Sequence, residues 1–428
     1  MRISLINYLK GHNIVKYFQS AGLYFLASLI PMCLTLLINP AMAKNMSPND
    51  YAITGYYASF SGLLSPFIVF YMLHYYNRQY FTLNEADRIQ MKTTIFKSLI
   101  SFSFLVTVVG YICVVLYIVF FNRDTEVPLF PYSLLSIFAL PLTGIYVLRQ
   151  NDLRMTRQSK QFFVLTVSNG VILAAMNVLF VVFLKLGAMG KLTAQFLSQA
   201  AVFLYCLWAY RELLKEPFNI KLFKEIVKFC FPLVIAASLG FFSSGFDKTL
   251  LERNGDLTEM GYFVVGAQLA GYIMVFQSAI GSTFQPDLYG AIAKRDRKKT
   301  VLVALGLIGS VSMIAILFAL FSPIIIKILT AGRYMHSVVY TRILSISVVT
   351  TTIYGLVNDV VIALGYSKIT LLARIINTLF CIAIYYVLIV SFGCIGAAWG
   401  NVLVPVSATI INICIFHLYR RKHVLKNS

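Results

Sequence analysis

The chain has 428 residues, 59% of them hydrophobic and only 12% charged, with a formal net charge of +20. Soluble proteins carry about 25% charged residues, so this composition excludes an ordinary soluble domain and points to a multi-span membrane protein. The basic residues are scattered between apolar runs, which argues for a role in membrane topology and against a nucleic-acid partner.

Residues 1–16 are basic and weakly apolar, with no separate signal peptide evident, and the first run long enough to cross a bilayer opens near Tyr17. At about 20 apolar residues per crossing, the sequence predicts helices over 17–40, 51–76, 96–121, 130–150, 161–184 and 189–210. A polar, basic stretch, 211–228, then interrupts the pattern near its midpoint, and six more helices follow over 229–247, 261–286, 300–326, 338–364, 369–391 and 393–418. Landmarks recur across this connector at a nearly constant offset. Gly55-Tyr56 returns as Gly261-Tyr262 and Val69-Phe70 as Val275-Phe276, both 206 residues on. Asn151-Asp152 returns 207 on as Asn358-Asp359, Ser159-Lys160 208 on as Ser367-Lys368, and the Gly-x-x-Gly of Gly187–Gly190 206 on at Gly393–Gly396. The expected architecture is therefore all-α and duplicated: a six-helix bundle over 1–210, a connector over 211–228, a second six-helix bundle over 229–418 and a basic tail over 419–428. An even number of spans per half gives both halves the same orientation in the membrane. Of the 36 Lys and Arg residues, 27 lie at the termini and in the even-to-odd loops, so both termini are expected in the cytoplasm of a bacterial cell with the protein in its inner membrane.

Prolines interrupt several of these helices: Pro40, Pro66, Pro141 and Pro232, each a hinge or a tolerated packing element. The Gly-x-x-Gly pairs are expected to form tight outer turns. No phosphate-binding Gly-x-x-x-x-Gly-Lys-Ser/Thr, no His-Glu-x-x-His and no Gly-x-Ser-x-Gly occurs. The five histidines are dispersed and the seven cysteines sit in apolar runs, so no cofactor, metal or enzymatic centre is expected. The loops are too short for a soluble domain, which argues against a glycan polymerase or ligase.

Ionisable groups placed within the bilayer are costly and are candidates for function. Asp247 and Lys248 close the seventh span. Asp359 and Arg374 lie about six residues from the cytoplasmic ends of the tenth and eleventh, close enough to pair across their hairpin. Arg149 and Asp152 share a helical face, and Arg154, Arg157 and Arg78 lie at the same side. Two readings stand for these groups: topology anchors and structural ion pairs, or a cationic mouth that attracts a diphosphate, to which the planar fork of Arg is suited. Among the aromatics, most of which are expected to pack, Tyr56 and Tyr57 are singled out as cavity residues.

Ser47-Pro48-x-Asp50-Tyr51-x-x-x-Gly55, Phe231-Pro232, Asp247-Lys248, Gln285-Pro286 and the two Gly-x-x-Gly turns together resemble the polysaccharide-biosynthesis flippases. These belong to the multidrug/oligosaccharidyl-lipid/polysaccharide exporter superfamily. The resemblance implies a V-shaped, MATE-like pair of bundles around a cationic cavity. It implies as cargo an undecaprenyl-diphosphate-linked oligosaccharide, an O-antigen or capsule repeat unit, moved from the cytoplasmic to the periplasmic leaflet. Its expected partners are the lipid bilayer, the lipid-linked glycan and polysaccharide-assembly proteins, with H⁺ or Na⁺ as a coupling ion. A cation-coupled multidrug exporter of the same superfamily is the alternative.

Overall fold

The computed structural model describes residues 13–80, 82–121, 125–254, 256–294, 296–363 and 367–426; among them every regular element is helical. Arg2, Lys10, Arg295 and the last two residues of the basic tail lie outside the described residues, as do the side chains of Lys16, Pro286, Lys368, Arg420, Arg421, Lys422 and Lys426. The first half contains α1 (Asn13–Asn45), α2 (Pro48–Val69), α3 (Met72–Gln79), α4 (Glu85–Phe121), α5 (Tyr132–Met155), α6 (Ser159–Asn177) and α7 (Gly187–Ala209). A π-helical turn, Val178–Phe183, prolongs α6, and a 3₁₀ turn, Arg211–Leu214, follows α7. The second half contains α8 (Ile220–Ser238), α9 (Phe241–Ser244), α10 (Phe246–Asn254), α11 (Leu257–Ala293), α12 (Arg297–Leu329), α13 (Ser337–Ala363) and α14 (Ser367–Lys426).

Eleven stretches among the described residues are long and apolar enough to cross a membrane. The last holds two crossings, because α14 breaks at Gly393 (φ 55°, ψ −132°). Counted so, the described residues hold twelve crossings, one for each apolar run of the sequence. On α12, Leu302, Leu305, Met313, Ile316, Leu320, Ile324 and Ile328 recur every three to four residues or a small multiple of that, and each is more than 60% exposed apart from Ile324 at 56%. Such a stripe is stable only where hydrocarbon is the solvent. The chain is a multi-pass membrane protein.

The helices divide into two compact units. The first comprises Met1–Asn45, Leu64–Tyr117 and Leu129–Val234. In it α1 packs along α6, and α5 along both α6 and α7. Its core gathers Met72, Tyr76, Met91, Phe96, Ile145, Leu148, Phe162 and Cys206, each 2% exposed or less. The second unit comprises Met46–Leu63, Ile118–Pro128 and Ile235–Ser428. There α13 packs on α11, α12 and α14, around Ile273, Leu288, Leu307, Val311 and Val348.

Local chemistry explains where these helices begin and break. Ser47 Oγ accepts from the Asp50 N–H at 3.1 Å while Asp50 accepts from the Ser47 N–H at 2.7 Å, a reciprocal capping box that starts α2. The side chains of Asp256 and Asp296 cap α11 and α12 by accepting from the Thr258 and Lys299 N–H groups. Two predicted spans are interrupted. Residues 51–76 do not form one helix, because Phe70 (φ 53°) and Tyr71 (φ 51°) take left-handed backbone and separate α2 from α3. Residues 229–247 divide at 239–245, after Pro232.

Both Gly-x-x-Gly pairs form tight turns of one design. The first glycine has positive φ, 53° at Gly187 and 55° at Gly393. The second lies against a carbonyl of the preceding helix: a Cβ on Gly190 would stand 2.8 Å from the Phe180 oxygen, and one on Gly396 would overlap that of Leu388. Gly55 and Gly261 share another function. In the second unit Gly55 abuts the Val264 side chain and Gly261 the Pro48 carbonyl, so α2 and α11 approach closely at two points, each with a glycine on one side. In lipid, where apolar burial does not drive helices together, close approach through small residues supplies the packing.

Candidate transport site

In the first unit the polar groups converge on Asp152, near the end of α5 and 4% exposed. Its carboxylate accepts from the Tyr76 hydroxyl of α3 at 2.8 Å and from the Tyr210 hydroxyl after α7 at 3.2 Å. Lys92 Nζ of α4 lies 2.9 Å from one oxygen and 3.0 Å from the other. Arg149, one turn back on α5, stands 3.6 Å away, with its guanidinium over the Tyr210 ring at 5.2 Å. Burial, with the Asp152 charge beside them, pushes the Tyr76 and Tyr210 phenols well above the usual tyrosine range. They therefore remain protonated and continue to donate to the carboxylate.

Two cations surround one carboxylate, so the cluster carries a net positive charge. Arg149 is not saturated by it. Besides the long contact with Asp152 it interacts with the Tyr210 hydroxyl and has one weak contact to Gln161 at 3.4 Å, while its buried Nε has no hydrogen-bond partner among the described residues. Arg78 and Arg154, at the ends of α3 and α5, are exposed and have no carboxylate partner among the described residues. Each guanidinium instead covers a ring, Arg78 that of Phe229 at 5.0 Å and Arg154 that of Phe162 at 4.8 Å. Lys97 holds the start of the connector, donating to the carbonyls of Leu214 at 3.0 Å and Glu216 at 2.6 Å.

In the second unit Asp247 and Lys248 lie in the first turn of α10. Asp247 is 1% exposed and accepts from Asn401 Nδ2 at 3.0 Å, with Lys248 Nζ 3.6 Å away. The expected Asp359–Arg374 pair does not form. Arg374 Nη1 donates to the Ala236 carbonyl at 3.1 Å. That carbonyl is left over where α8 ends, because the Gly240 N–H turns to Ala237 instead. Asp359 is half-buried on α13 and lines a cavity. The cavity role expected of Tyr56 and Tyr57 is also corrected. Both are fully buried, their rings meet edge to face at 5.4 Å, and the Tyr57 hydroxyl donates to the Pro128 carbonyl at 2.8 Å. They are part of the packed interior of the second unit.

Three residues of the first-unit cluster were not among the sequence candidates. Lys92 reads from the sequence only as a topology anchor, and neither Tyr76 nor Tyr210 stands out in a chain with 26 tyrosines. No group of three metal-ligating side chains occurs among the described residues.

A family model described as polysaccharide biosynthesis protein matches residues 18–289. No curated protein matches the sequence significantly. Among solved structures the chain is similar to the lipid II flippase MurJ in an inward closed conformation, with a TM-score of 0.69 at 14% identity, over 91% of this chain and 86% of that one. It is similar to an inward-facing multidrug resistance MATE family transporter of the MOP superfamily, with a TM-score of 0.62 at 16% identity, over 92% and 99%. A mutant of the Vibrio cholerae MATE transporter VcmN gives 0.56 at 15% identity, over 94% and 96%. At these identities the likeness establishes the fold, that of an all-α membrane transporter.

Proposed function

This chain belongs to the polysaccharide biosynthesis protein family, and from that premise we propose that it is a flippase for a lipid-linked oligosaccharide. Its cargo is an undecaprenyl-diphosphate-linked repeat unit of O-antigen or capsule type. It moves that cargo from the cytoplasmic to the periplasmic leaflet of the inner membrane by alternating access, with both termini in the cytoplasm. The protein makes and breaks no covalent bond in this reading, and a gradient of H⁺ or Na⁺ supplies the energy.

The family match carries the proposal, and the charge at Asp152 supports it. The lipid tail of such a cargo remains in hydrocarbon while its diphosphate and sugars require a polar route. Arg149 and Lys92 give the Asp152 cluster its net positive charge, and Arg78 and Arg154 add exposed positive charge at the same end of the first unit. Guanidinium groups so disposed favour a diphosphate over a cationic drug.

A deletion strain tests this reading. It is expected to accumulate lipid-linked repeat units in the inner leaflet and to lose surface polysaccharide, and Arg149→Ala is expected to do the same at normal protein levels. Normal surface glycan with increased drug sensitivity would establish the exporter alternative instead.

A further inference from the structure

Within the second unit, α11, α12 and α13 border an open cavity of about 240 Å³. Its polar wall is Gln277, Ser278 and Gln285 from α11 with Thr352 and Asp359 from α13. Leu288, Leu307 and Leu356 close the remainder. Positions 277, 281 and 285 are four apart and 352 and 359 seven apart, so each helix turns one stripe toward the space. Gly281 and Gly355 lie on those stripes, and a Cβ on either would meet nothing within 4 Å. The cavity is thus held open by two missing side chains.

Asp359 makes no hydrogen bond and no ion pair among the described residues. A half-buried carboxylate in that condition, surrounded by amides and hydroxyls, is arranged for a ligand. The dimensions decide which. About 240 Å³ is the room of roughly eight water molecules. A bare cation needs oxygens at about 2.0–2.6 Å on every side, which one carboxylate in so wide a space does not provide. A pyranose ring needs several neutral donors and acceptors around its rim and apolar surface against its C–H faces, and this wall has both.

We propose that this cavity is a saccharide subsite, taking one sugar ring of the cargo's head group. Asp359 accepts from ring hydroxyls, and Gln277 and Gln285 offer both donors and acceptors. The cavity lies toward the ends of α11 and α13 nearest the basic residues Lys294, Arg297, Lys298 and Lys299, the side from which the head group starts. The identity of the cargo rests on the flippase reading; the existence of the subsite does not.

The test uses the full-length protein in lipid nanodiscs and a panel of free hexoses, N-acetylhexosamines and 6-deoxyhexoses. Saturation-transfer NMR reports binding and melting temperature reports protection. At least one sugar is expected to bind and protect. Gly355→Leu, which fills the space, is expected to abolish binding, and Asp359→Asn to weaken it by about tenfold or more. No binding by any sugar in the panel would overturn the proposal, as would binding that survives Gly355→Leu. If Gly355→Leu fails to fold, Asp359→Asn and Gln277→Ala decide, and unchanged affinity in both is the overturning result. Protection by Na⁺ or by protons in place of sugars, dependent on Asp359, would make this an ion site and likewise overturn it. Surface glycan separates the two readings: sugar binding in a protein whose deletion leaves glycan normal removes the flippase and keeps the subsite, whereas glycan loss on deletion without any sugar binding does the reverse.

Discussion

Asp152 and Asp359 occupy matching places in the two halves of the sequence, 207 residues apart and each preceded by an asparagine. Their surroundings differ completely. Asp152 holds two phenols, an ammonium and a guanidinium. Asp359 has no such partner among the described residues and lines open space. One of these two matching sequence positions is therefore a fixed knot of charge, and the other presents its carboxylate to open space. The difference shows that depth in the membrane does not by itself distinguish a structural charge from one that meets a ligand. The partners supplied by neighbouring helices do.

The largest expected effect follows from removing Asp152. Asp152→Ala leaves Lys92 and Arg149 without their counter-charge in a low-dielectric site, with a cost of about 3–5 kcal/mol. Thermal unfolding in detergent is expected to show it, and Asp359→Ala is expected to show no comparable loss. Equal losses at the two sites would break the comparison. A smaller effect is expected at the glycine turns: Gly190→Ala or Gly396→Ala drives a methyl into a carbonyl oxygen and lowers stability by about 1–3 kcal/mol. Tyr76→Phe removes one hydrogen bond to a charged acceptor and falls at the lower end of about 1.5–3 kcal/mol, because Asp152 keeps three other partners.

The tyrosines also set a pH signature. Burial makes the folded protein hold the Tyr76 and Tyr210 protons more tightly than the unfolded chain does. Their contribution is complete below about pH 10 and is lost as the pH rises above it. The alkaline limb of a stability profile is expected to flatten in the Tyr76→Phe/Tyr210→Phe double variant. The smallest expected effect on folding belongs to Asp359→Asn, within about 0.5 kcal/mol. If the comparison holds, that variant retains its melting temperature and loses surface glycan.

Much of the fold was legible in the sequence because each crossing needs its own apolar run, and a run of that length has few other uses in a membrane protein. The Gly-x-x-Gly spacing was equally readable, since positive φ and contact with a carbonyl both select glycine. The break at Phe70–Tyr71 was not, because two aromatic residues in left-handed backbone give no compositional sign, and the matching Val275-Phe276 runs straight through α11. At the site, Arg149 and Asp152 were readable from their spacing on one helix, whereas Lys92, Tyr76 and Tyr210 reach Asp152 from three other segments. The cavity around Asp359 left a fainter trace. Gln277, Gly281 and Gln285 form a small-and-polar stripe at helical period, as do Thr352, Gly355 and Asp359, and of these six only Asp359 carries a charge that marks it in the sequence.

The glycine turns have a mechanical consequence. With backbone seated directly on backbone at Gly190 and Gly396, neither hairpin tip has slack, and helices joined there travel as a single piece. Any bending during a transport cycle must fall on weaker joints. Among the described residues two such joints lie at 70–71 and at 239–245, where helices already part company.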